Sequence, residues 1–179
     1  MALLNRYGDN KRSAGCTHTK RTTHLLSGMA AGAAVSALVG FGHLELILVG
    51  GLFGVLPDFD VMLTPLWPRA HRSAGSHSLL AAVCMAATWY VVALMALSQL
   101  GLFEGQDFVV ASSVTAFAAA FLHAAEDSLT KQGCRLLFPL SRRRLRGPVR
   151  YDDPVTNAAL SLLALTAILC CSGPHLLPL

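Results

Sequence analysis

The sequence predicts an all-α fold: a polytopic transmembrane helical bundle of four to five spans, with a metal site at the cytoplasmic ends of the helices. Composition, the lengths of the apolar runs and the placement of ionisable side chains carry this reading. Of 179 residues, 54% are hydrophobic and only 13% charged, and mean hydropathy is +0.53. Soluble domains carry about 25% charged residues, so this balance belongs to a membrane protein. Apolar runs cover residues 25–42, 44–56, 79–102, 108–125 and 155–171. A span takes about 20 helical residues. The second run is shorter and holds Gly50, Gly51 and Gly54, which fits a tilted span or a re-entrant half-helix.

Charge then sets orientation. The fourteen Lys and Arg residues fall before the first run, from Arg6 to Arg21, between the second and third, at Arg69 and Arg72, and between the fourth and fifth, from Lys131 to Arg150. The opposite connections hold Glu45, Glu104 and Asp107. By the positive-inside rule the N-terminus and the basic loops are cytoplasmic, which predicts a multi-pass protein of the cell's inner (cytoplasmic) membrane. Residues 1–22 read as a polar, poorly ordered cytoplasmic tail, and 23–179 as one membrane domain with a basic cytoplasmic loop at 129–154. The net charge of +4 is therefore a topology signal that specifies no nucleic acid. The run "SRRRLRGPVR" suits anionic headgroups, so membrane lipids are the expected partners. The cysteines suggest no disulfide framework.

Local signals place the elements. Gly28 and Gly32 form a small-xxx-small pair through which another helix can approach closely. Pro57 ends the second run because it lacks an N–H and restricts the residue before it. Asp153 is placed to cap a last helix that begins at Pro154.

On this topology the polar residues converge. His24 opens the first run, Asp58 and Asp60 of "LPDFD" end the second, His77 enters the third, and His123 and Asp127 close the fourth. His123 and Asp127 are i and i+4, on one helical face, as two ligands of one metal require. In an extended segment Asp58 and Asp60 would project the same way. Glu126 flanks the His123 face as a further ligand, an outer partner or a base. Ionisable groups embedded in a membrane are costly and mark function. Histidine with carboxylate and no cysteine favours Zn first, with Mn, Fe or Mg as alternatives, and six candidate ligands leave room for one or two divalent ions.

The stretches "HLLSG", "LPDFD", "HRSAGSHSLL" and "HAAEDSLTKQGCRLLFP" resemble, in order and spacing over roughly residues 22–140, a bacterial and archaeal inner-membrane family of metal-dependent hydrolases, part of it LexA-regulated. The last stretch matches most specifically: His, three residues, Asp, two residues, Thr, two residues, Gly, then an apolar run into Pro, on His123, Asp127, Thr130, Gly133 and Pro139. One loop departs from the family pattern, with five residues instead of four between His71 and His77 and Ser73 in place of a glycine. The resemblance implies a membrane-embedded hydrolase.

The expected activity is hydrolysis of a phosphoester, in a lipid or membrane-associated substrate, at the cytoplasmic leaflet. His24, Asp58, Asp60, His77, His123 and Asp127 would hold metal, Glu126 or Asp60 would act as base, and Arg72 would stabilise charge developing on phosphate. The rival readings are non-enzymatic: a metal or proton carrier, or a scaffold built on the basic loop. Carriers place ionisable groups near the bilayer midplane, whereas these gather at one edge.

Overall fold

The computed structural model describes residues 5–41, 43–63, 65–66, 73–101, 105–150 and 152–172. Its order is α1 (Asn5–Val39), α2 (His43–Val55), a 3-10 segment (Leu56–Leu63), α3 (Leu79–Leu100), α4 (Gln106–Ser128) and α5 (Pro154–Ser172). Among the described residues, four helices are long and apolar enough to cross a membrane: α1 over Arg21–Val39, then α3, α4 and α5. The 13 residues of α2 cover only about 20 Å of a hydrocarbon core about 30 Å thick. Pro57 lies just past the end of α2, where the chain tightens into the 3-10 segment. The polar stretch before residue 22, expected as a poorly ordered tail, is helical from Asn5 and continuous with the first span. An existing helix extends without the cost of a new nucleus, and no proline interrupts this one.

Glycine brings α1 and α2 together. A methyl group on Gly28 would sit 2.2 Å from the Gly50 carbonyl oxygen, and one on Gly54 would sit 2.3 Å from that of His24. The close partner of the Gly28 and Gly32 face is therefore α2. Helix α4 lies against this pair through small residues, with Ala116 and Ala119 packed on Val49 and Phe53. At the far side α5 joins α1, where the Thr23 hydroxyl donates to Asn157 Oδ1 at 3.1 Å. Asp153 caps α5 as expected, accepting from the Thr156 N–H at 2.9 Å.

The connection from α4 to α5 folds back on itself through two isolated bridges, Thr130 to Val149 and Cys134 to Leu145. Gly133 has φ +62°, a left-handed value that favours glycine, and a methyl there would overlap the Leu145 carbonyl. The connection also caps α3. Leu79 and Leu80 donate their N–H groups to the carbonyls of Leu136 and Phe138 at 2.7 and 3.1 Å, and the Ser78 hydroxyl accepts from Ala81 N at 3.1 Å. His77, just before this cap, is thereby fixed at the end of the bundle where the Arg21–Val39 span of α1 begins and α4 ends.

Candidate metal centre

Five side chains from four elements meet there: His24 of α1, Asp58 of the 3-10 segment, His77 ahead of α3, and His123 and Asp127 of α4. His77, His123 and Asp127 are fully buried, and His24 and Asp58 are 2% and 8% exposed. The possible ligand atoms of His24, Asp58 and His123 lie within 4.8 Å of one another, as do those of His77, His123 and Asp127. His123 belongs to both groups, so the geometry describes one continuous centre.

Hydrogen bonds define which edge of each imidazole faces inward. His123 Nδ1 lies 2.7 Å from the Gly54 carbonyl oxygen. A carbonyl only accepts, so Nδ1 carries the proton and Nε2 points into the cluster. His77 Nδ1 lies 2.8 Å from Ser76 Oγ, whose own proton is committed to Asp60 Oδ2 at 2.5 Å. His77 therefore donates through Nδ1 to Ser76. His24 Nδ1 lies 2.5 Å from Glu126 Oε2, and its Nε2 is buried without a hydrogen bond, facing Asp127 Oδ1 at 3.6 Å. Three imidazoles are thus anchored through Nδ1 by three different acceptors, the arrangement that orients metal-ligating histidines.

The inward atoms crowd one another. The Nε2 atoms of His77 and His123 are 3.0 Å apart, Asp58 Oδ1 lies 3.6 Å from His123 Nε2 and 3.8 Å from His77 Nε2, and Asp127 Oδ2 lies 3.4 Å from His77 Nε2. Nitrogens on one tetrahedral zinc, with bonds of about 2.0–2.1 Å, stand about 3.3 Å apart. Lone pairs facing at this separation repel unless a positive charge lies between them. Burial lowers the basicity of His77, but Asp58 and Asp60 more than offset it, and its pKa is raised. Burial likewise pushes the Asp58 carboxyl up, and the His77 bond with the nearby imidazoles holds it below the usual carboxylate range. The cluster therefore draws positive charge, as protons or as a cation, and its donor set fits a divalent ion.

The structure brings together His24, Asp58, His77, His123 and Asp127 as the sequence predicts. Asp58 and Asp60, expected to project alike from an extended segment, diverge because the segment is a 3-10 helix with about three residues per turn. Asp58 faces His77 Nε2, while Asp60 lies on the other edge of the ring, 3.4 Å from Nδ1. Glu126 stands behind His24 in the same way. Arg72 and His71 lie outside the described residues. Two contributors escaped the sequence reading: Ser76, signalled only by its place beside His77, and the Gly54 carbonyl, a main-chain group that no residue type reveals.

The sequence profile of the YdjM inner membrane protein family matches residues 19–175, which contain the whole cluster. The chain belongs to the YdjM inner membrane protein family. No curated protein and no solved structure matches it. The YdjM match runs beyond the motif region into α5, so it takes in all four membrane-crossing helices as well as the polar centre.

Proposed function

We propose that this YdjM-family protein is a membrane-bound, metal-dependent hydrolase that cleaves a phosphoester of a lipid at the cytoplasmic leaflet. The observation that carries the proposal is the set of three imidazoles with Nε2 turned inward beside Asp58 and Asp127, all at one end of a membrane bundle. His24, His77, His123, Asp58 and Asp127 would hold the ion, with zinc the best match to this donor set. Such an ion supplies Lewis acidity toward a phosphoryl oxygen and acidifies a water.

The remaining residues take positioning roles. Glu126 holds the proton on His24 Nδ1, and Asp60 holds Ser76 so that its oxygen receives the proton of His77 Nδ1. This use of both carboxylates supports an orienting function over general-base or direct-ligand roles. The leaflet assignment rests on charge: the fourteen basic residues all fall in segments that the positive-inside rule puts on one side, the side where the α1 span begins near His24 and α4 ends near Asp127. Those segments would also attract anionic headgroups.

The test is a cleavage assay on purified protein in bilayers of phosphatidylglycerol and phosphatidylethanolamine, with zinc or manganese supplied and Asp127→Ala beside the wild type. Metal-dependent release of a phosphorylated product, lost in the variant, is expected. Metal uptake into reconstituted vesicles without cleavage would instead identify a carrier.

A further inference from the structure

The cluster sits at the end of an apolar cleft that the polar site does not account for. Helices α2 and α3 both pack on α4, yet they stand apart and meet through side chains, as where Phe53 lies edge-on to Trp89 with ring centroids 5.5 Å apart. Between them is a cavity of about 280 Å³, open to the outside. That is close to the lower bound of the range of about 300–1,000 Å³ usual for small-molecule sites. Phe53 and Leu56 form one wall and Cys84, Met85, Trp89 and Val92 the other. Ala116 and Ala119 of α4 cluster with Phe53, and Leu56, Met85 and Trp89 pack against that cluster.

Three features identify the occupant. The wall on α3 runs from Ala81 to Val92, about 16 Å along the helix axis, which is half of a hydrocarbon core about 30 Å thick, the depth of a single leaflet. The adjoining surface of α3 is exposed and apolar, with Val83, Val91 and Met95 turned outward on a membrane-crossing helix, so the cleft is continuous with the lipid-facing surface. Its other end is lined by Leu56 and Gly75, two residues from Asp58 and His77 respectively. We infer that the cleft seats one acyl chain of a glycerophospholipid, with the ester and headgroup delivered to the histidine and aspartate cluster. The inference rests on the proposed hydrolase for what happens to the headgroup; the seating of the chain stands on the cleft.

The experiment is native mass spectrometry of the full chain, released from detergent micelles supplemented with phosphatidylglycerol. Four proteins are compared: wild type, Cys84→Trp and Val92→Trp, which fill the cleft at two depths, and Cys170→Trp, on the exposed surface of α5. Thermal unfolding confirms that each is folded. Wild type and Cys170→Trp are expected to retain one lipid, and both cleft variants to lose at least tenfold of it. Absence of bound lipid in the wild type, equal retention in all four, or a lipid-free dimer that either cleft variant dissociates would overturn the assignment. Metal content, measured on the same samples, separates the two readings: lipid retained without metal removes the hydrolase and leaves the chain site, and metal without lipid does the reverse.

Discussion

Within their membrane-crossing windows, 44% of α1 and 50% of α4 is buried inside the molecule, against 11% of α3 and 17% of α5. The inner group, α1, α2 and α4, is drawn together through glycine and alanine, and it delivers His24, Asp58, His123 and Asp127 to the cluster. The outer helix α3 contributes no ligand from its own length. Its role at the centre is limited to His77, held ahead of its first turn by the loop carbonyls of Leu136 and Phe138. The contrast separates two tasks. Close backbone contact makes a rigid polar centre, and an outer helix that packs on α4 but stands apart from α2 leaves an apolar cleft between them. Packing between membrane helices depends on close approach rather than on apolar burial, because lipid is as apolar as the helix surface.

Each side of this comparison can be broken separately. The largest effect is expected for Gly28→Leu, whose side chain would overlap the Gly50 backbone. A loss of about 3 kcal/mol or more, at the upper end for overpacking, should appear as failure to recover folded protein by size-exclusion chromatography. Next comes the orienting shell. Ser76→Ala removes the acceptor of His77 Nδ1 and should weaken zinc binding about 10–100-fold in a chelator competition, with thermal stability nearly unchanged. Glu126→Gln sharpens the same point, because its amide oxygen still accepts from His24 Nδ1; a loss of less than about tenfold is expected, against 10–100-fold for Glu126→Ala. At the small end, Val91→Ala on the lipid-facing side of α3 should change stability by less than about 0.5 kcal/mol in chemical denaturation.

Much of this arrangement was legible in the sequence because it obeys short-range rules. Apolar run lengths set the spans, the i and i+4 spacing of His123 and Asp127 put both on one helical face, and Asp153 before Pro154 marked the start of α5. What stayed hidden depends on the backbone. A 3-10 turn at Leu56–Leu63 decides that Asp58 and Asp60 address opposite edges of one imidazole, and proline after the glycine-rich run signals a helix end without specifying that turn. The Gly54 carbonyl that fixes His123 is likewise a main-chain group presented by helix packing. The α2–α3 cleft is a property of which helices pack together, and residue spacing within either helix carries no trace of it.

The central claim is that three inward Nε2 atoms, with Asp58 and Asp127, hold one cation at the end of the bundle. The most direct measurement is the metal content of purified wild type and His123→Ala after equal loading with zinc and gel filtration, read by inductively coupled plasma mass spectrometry. The account predicts about one equivalent in the wild type and less than a tenth of that in the variant, since His123 joins both ligand groups. Equal metal in the two proteins, or none in a folded wild type, would contradict it.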